Sequence, residues 1–339
     1  MNNELIKEYF KILSPEYPKW LDEYIATDRM QKQKYISVTC GKIYSKLFYY
    51  NDYSSLDHSI AVALIIWNFT HDKKQTLSGL FHDIATPAFK HCVDFLNGDY
   101  MKQESTEELT KTLINESIDI MRLLKRDNIK IEEVCDYHIY EIADNDTPML
   151  SADRLEYSLS NDLIVFKTAS LDDIREVYND IEVQTNEIGI IELGFKTKKI
   201  ARKFVKNTSR LSICYRDDAT RFFMQAIADI LKKVSEEGLI TKKDLYELKE
   251  TEVIDVIRKS KYKDAYNVLT NATKVNVSSE EPNNIYYVKH GAKIRYIDPL
   301  INGKRISNEC KIAHKMIEKN LSYDMSNYIY IDDRLNILK

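Results

Sequence analysis

Glycine and proline are scarce in this chain, with 8 and 6 among 339 residues. Both interrupt helices, so their rarity over such a length predicts a mainly helical protein. Cysteine is sparse and odd in number, five in all, at positions 40, 92, 135, 214 and 310. No CxxC pair occurs, which argues against a disulfide framework and against a cysteine-based zinc site. Long apolar runs are missing too. The longest, IAVALIIWNF, has 10 residues, far short of a membrane span. Charge of one sign is not in excess: the net charge is −4, so no global basic field exists to hold nucleic acid. The opening MNNELIKEYFKIL has acidic residues and no small-residue cleavage site, so no signal peptide is expected, and a reducing cytoplasm is the expected compartment.

Tyrosine is abundant, with 23 copies. Its ring is apolar and its hydroxyl needs a partner, which suits the walls of clefts. Periodicity predicts helices over 4–25, 54–70, 73–84, 87–97 and 104–126, and in the segments IEEVCDYHIYEIA and SADRLEYSLSNDLIVF. Ser54 and Asp57 form a capping pattern ahead of a helix that is apolar almost all round, with His58 in its first turn. Further helices are expected over 170–181, 196–208 and 215–237, then short ones at TKKDLYEL and ETEVIDVIRKS. TNEIGIIELGFK and VNVSSEEPNN read as loops. A β-hairpin is expected around His290-Gly291, and a strand at NYIYIDD. The expected organisation is a helical body over 1–240 with a smaller α+β region over 241–339 packed on it.

The chemistry concentrates in SGLFHDIATPAFKHCVDFL, residues 78–96. His82 and Asp83 are adjacent inside an apolar run; His91 and Asp94 follow within a dozen residues. Burying such groups among Val62, Leu80, Phe81 and Ile84 without partners would cost several kcal/mol, and a shared metal ion removes that cost. Two imidazoles and two carboxylates, from His58, His82, Asp83 and Asp153, suit a first-row divalent ion and are too rich in imidazole for calcium. His91 and Asp94 stand three apart, on one helical face, as a carboxylate orienting an imidazole requires. Three other histidines read differently: His138 as a core residue, His71 and His314 as solvated. Lys198, Lys199, Arg202, Lys203 and Lys206 make a basic helical face, read as solvated.

The pattern H…HD…D, carried by LDHSIAVA, LFHDI and SADRLEYSL, resembles the HD-domain phosphohydrolases. Within them, HDIATPAFKHCVD and the run Asp153, Arg154, Glu156, Tyr157 resemble the deoxynucleoside triphosphate triphosphohydrolases. The likeness covers roughly residues 35–165. It implies an HD-type helical bundle and one divalent metal ion (Mn, Fe, Zn, Mg, Co or Ni) on His58, His82, Asp83 and Asp153. It implies His91 and Asp94 as the catalytic pair, with His91 as general acid or nucleophile. Arg154, Tyr157 and Tyr215 would contact a nucleotide. It also implies a homo-oligomer; the short apolar runs imply no membrane partner. Departures are visible: Ser55 where that family has a basic residue, Thr86 in place of a histidine, and Gln103-Glu104 in place of His-Glu. Asn207, Asp217 and Asp218 replace expected bases, for which Arg210 and Arg216 could stand in. These losses leave two alternatives open: phosphatase action on another monoester, or a catalytically weak nucleotide sensor.

Overall fold

The structure, a computed structural model, describes residues 2–102 and 109–339, the side chains of Asn2 and Asn3 apart. It is mainly helical, with more than half of the chain in helix and a small amount of sheet. Two apolar cores organise it. The first gathers Ile60 to Ile66 from helix Ser55–Thr70, Leu77 to Phe81 from helix Lys73–Phe81, and Leu155 and Leu159 from helix Ala152–Ser160. It also takes Ile297 to Ile317 from the C-terminal third. The second is built on helix Asp218–Glu236 and includes Cys40, Ala88 to Phe95, the helices over 242–271 and the chain end at Leu338. Each core thus draws on both sides of position 240.

The helix Ser55–Thr70 starts where the sequence places it, with Ser54 Oγ accepting from the Asp57 amide. It runs through the first core against helix Lys73–Phe81. Where they pack stands Gly79: a Cβ there would lie 2.2 Å from Ile66 Cδ1 and 3.3 Å from Val62 Cγ1, so Ile66 would have to shift.

Several expectations are corrected. The helix expected over 4–25 is two, Asn2–Leu13 and Leu21–Ile25, divided where Pro15 and Pro18 cannot donate to a helical ladder. The described part of 104–126 is two helices, Thr110–Glu116 and Ile118–Arg126, with Ser117 capping the second; residues 103–108, including Gln103 and Glu104, lie outside the described residues. IEEVCDYHIYEIA forms only two 3₁₀ turns, because Asp136 turns its carboxylate onto the His138 amide and offers the backbone a local alternative to the helix. Residues 87–97 hold only the short helix Cys92–Leu96; ahead of it Phe89 and Lys90 have φ of +66° and +45°, outside any helix.

The strands depart furthest. The expected loop TNEIGIIELGFK is most of an antiparallel hairpin, β1 (Ile181–Thr185) and β2 (Ile191–Phe195). Conversely, no hairpin forms around His290-Gly291. The first of its runs gives β4 (Tyr287–Val288), which joins β3 (Asn276–Ser278) and β7 (Tyr328–Tyr330) in the order β3-β7-β4. The second gives β5 (Leu300–Ile301), which pairs in parallel with β2 and antiparallel with β6 (Lys304–Arg305). Between them residues 289–299 run irregularly, and His290 stacks on Tyr100 at 4.6 Å. VNVSSEEPNN, expected as a loop, contributes β3. NYIYIDD does hold a strand, β7.

Candidate metal centre and its cavity

His58, His82, Asp83 and Asp153 come together at the boundary between the two cores. His58 is in the first turn of its helix, His82 caps the C-terminus of helix Lys73–Phe81, and Asp153 opens helix Ala152–Ser160. The two imidazole Nε2 atoms lie 3.2 Å apart. Asp153 Oδ1 is 3.2 Å from His58 Nε2 and 3.8 Å from His82 Nε2. Asp83 reaches the same two nitrogens at 3.9 and 3.8 Å.

The outer nitrogen of each ring is already committed. His82 Nδ1 donates to the Gly79 carbonyl at 2.7 Å, and His58 Nδ1 bonds Glu156 Oε2. Both Nε2 atoms are therefore left facing one point, the arrangement that outer partners impose on ligand histidines. First-row ions hold nitrogen and oxygen at roughly 2.0–2.2 Å, so donors sharing one ion lie roughly 3–4 Å from each other. The observed separations fall in that range, so the residues fit a divalent cation, and His58, His82 and Asp83 form a group able to hold one.

The electrostatics agree. Burial pushes Asp83 up, but Lys90 and the two imidazoles outweigh it and hold its carboxyl well below the usual range. Burial lowers His58, yet Glu156 and Asp153 lift it to about 10. Metal uptake at His58 therefore competes with its protonation.

Glu156 carries more than a motif match suggests. It is fully buried. Its Oε1 accepts from Tyr53 Oη at 2.9 Å and Tyr9 Oη at 3.3 Å while Oε2 takes His58. The signal in the sequence was its spacing, one turn after Asp153 on the same helix.

The centre opens into a cavity of about 590 Å³. His91 lines it, with Nδ1 2.9 Å from Asp94 Oδ2. Asp94 is fully buried and fixes the ring so that Nδ1 donates and Nε2 keeps the lone pair. Burial lowers the His91 pKa, against a partial opposing pull from Asp94, which favours the neutral ring. Tyr157 and Tyr215 line the cavity edge to face, ring centres 6.3 Å apart. The Tyr215 hydroxyl is enclosed and has no hydrogen-bond partner among the described residues. Arg154 also lines it, but its guanidinium is spent on Asn145, Asp144, Met149 O and Ser151, pinning the 144–149 loop.

Other cations were missed. Lys42, Lys90, Lys293 and Arg295 line the cavity. Lys90 was legible as a lone lysine in an apolar run. Lys293 and Arg295 arrive only through the return of the C-terminal third, which local sequence does not reveal. Arg210 and Arg216, the expected substitutes, are elsewhere: Arg210 pairs with Asp162, and Arg216 is buried against Asn320. His138 is no core residue; it is 53% exposed at the cavity rim, 2.9 Å from Asp136 and 3.4 Å from Asp144. His71 and His314 are exposed, as expected. On the basic face of helix Lys198–Cys214, Lys203 is paired with Asp173 and Glu176.

Among the described residues no helix is long and apolar enough to cross a membrane. No family model matches the chain. The uncharacterized protein YdhJ of Bacillus subtilis is 24% identical over 254 residues, 72% of this chain and 73% of that protein. A hypothetical protein from Aquifex aeolicus superposes with a TM-score of 0.62 at 16% identity, over 94% of each chain. A phosphohydrolase from Bacteroides thetaiotaomicron superposes with a TM-score of 0.57 at 12% identity, over 90% of this chain and 93% of its own. What this chain has in common with the latter two is a fold.

Proposed function

We propose that this chain is a metal-dependent phosphohydrolase of the HD type acting on nucleotides, deoxynucleoside triphosphates first. The carrying observation is the convergence of His58, His82, Asp83 and Asp153 at one end of a cavity lined by Lys42, Lys90, Lys293 and Arg295. The shared fold with a phosphohydrolase adds support.

Lewis-acid charge on the phosphoryl oxygens is what a divalent cation at His58, His82, Asp83 and Asp153 supplies when bound. The protein does the rest. Glu156 and the Gly79 carbonyl fix the two imidazoles. Asp94 holds His91 in one tautomer, and the neutral ring acts as base or nucleophile through Nε2. Tyr157 and Tyr215 offer ring faces, and Tyr215 an unsatisfied hydroxyl, to the sugar or base.

The test is hydrolysis of the four deoxynucleoside triphosphates and a phosphate monoester with Mn²⁺, Mg²⁺, Fe²⁺ or Co²⁺, comparing wild type with His91→Ala. Turnover that needs both metal and His91 is expected, and release of inorganic triphosphate or of orthophosphate identifies the bond cleaved. No turnover of any phosphate ester with any metal contradicts the proposal.

A further inference from the structure

We propose that Lys90 is a catalytic residue that binds the phosphoryl group under attack. The inference rests on the metal-centre reading above and adds a residue to it.

Lys90 is only 8% exposed, yet it lines the cavity. Its Nζ donates to Asp83 Oδ2 at 2.6 Å and to Ser55 Oγ at 3.3 Å. The ammonium therefore stands beside the metal centre, at the position in space where Ser55 supplies no charge.

The backbone is built to put it there. Phe89 and Lys90 are consecutive residues in the left-handed region, with φ of +66° and +45°. That region is unfavourable for residues with a Cβ, and such strain persists only where the surroundings over-determine it. They do. The Phe89 amide donates to the buried Glu250 carboxyl at 3.2 Å, and the Ala88 amide to Leu245 O at 2.8 Å. The Phe89 ring fills the space above Gly41, where a Cβ would come within 2.5 Å of it. A regular helix through 87–97 would satisfy the backbone at less strain but would re-aim position 90.

The cations of the cavity say what the ammonium is for. Glu156 is bonded to His58 and Asp94 to His91, so neither carboxylate engages Lys90. The remaining ligand carboxylates, Asp83 and Asp153, are neutralised by a divalent cation when one is bound. Lys90 then lines the cavity together with Lys42, Lys293 and Arg295, four cations that favour an anion there. The anion that this cavity admits is the substrate phosphoryl group. Asp83 Oδ2 keeps the lysine aligned while Oδ1 faces His82 Nε2 at 3.8 Å.

The experiment uses the full chain loaded with Mn²⁺ and three readouts: manganese content, calorimetric binding of inorganic phosphate, and turnover of the best substrate found. For Lys90→Met the expected result is unchanged manganese content and melting temperature, phosphate binding weakened about tenfold or more, and kcat reduced about 100-fold or more. Phosphate affinity and kcat within about threefold of wild type overturn the proposal. Loss of manganese together with activity also overturns it, assigning Lys90 to the support of Asp83 alone. Should Lys90→Met not fold, Lys90→Arg carries the test: phosphate binding is expected to weaken severalfold with manganese retained, and unchanged binding overturns the proposal. A wild-type chain that binds no manganese and hydrolyses nothing defeats the metal-centre reading itself, a different outcome from an active wild type matched by Lys90→Met.

Discussion

The two walls of the cavity are made differently. The metal wall comes from the first core: three helix-borne segments deliver His58, His82, Asp83 and Asp153 within 4 Å contacts. The facing wall belongs to the second core and the C-terminal third: the strained turn with Lys90 and His91, and the irregular stretch with Lys293 and Arg295. Regular helices and, for His82 and Asp83, the turn at a helix end hold the groups whose mutual distances must be fixed. Irregular backbone, tied down by tertiary bonds, holds those that must reach a substrate.

That contrast can be broken from either side. The largest effect is expected on the metal wall. Asp83→Ala should empty the site of manganese by elemental analysis and reduce turnover roughly 1,000-fold or more, several kcal/mol of transition-state stabilisation. On the facing wall Asp94→Asn should leave manganese content intact and cut kcat about 100-fold or more, because the amide can present its donor to Nδ1 and reverse the His91 tautomer. A result with the two phenotypes exchanged would dissolve the distinction. Glu156→Gln should fall between binding and support: manganese affinity weakened about 10- to 100-fold by titration, the amount typical of losing an outer partner of a ligand histidine.

The remaining two expectations concern the scaffolds. Gly79→Ala forces a methyl against Ile66 where the two helices meet, and overpacking of this kind costs about 1–3 kcal/mol by chemical denaturation. Glu250 braces the turn of the second wall. Burial raises its pKa to about 8, against hydrogen bonds that lower it. A raised carboxyl stabilises the fold fully below its unfolded value near 4.5, and that contribution is lost as pH rises toward about 8. Relative to wild type, Glu250→Gln should therefore gain melting temperature progressively from pH 5 to pH 8. A constant difference across that window would show that Glu250 does not titrate there.

How much could be read beforehand follows the same division. The metal wall was legible because its rules are local: a Ser54 cap sets the phase of His58, a 3.6-residue period places His82, and Asp153 opens a capped helix. The facing wall was not. His91 and Asp94 were visible as a pair, but the helix expected to carry them is a strained turn and a short helix, stabilised by Glu250, 161 residues from Phe89 in sequence, and by Leu245. The aromatic runs around His290 have hairpin chemistry, yet their partners are β7 and β2; which strand a run pairs with is a tertiary choice. The β1–β2 hairpin is hard to read from sequence because its turn residues and its position between helices resemble a connector. His138 shows the limit for single residues: its neighbours Cys135 and Ile139 suggested a core, while the turn at Asp136 faces it outward.

The central claim is that one cation is shared by four side chains from three places in the sequence. Anomalous diffraction at the manganese edge, from crystals of the full chain grown with Mn²⁺, tests it directly. The account predicts a single strong peak within bonding distance of His58 Nε2, His82 Nε2, Asp83 and Asp153, absent in Asp83→Ala. Manganese bound elsewhere, or a site that stays empty at saturating metal, would contradict it.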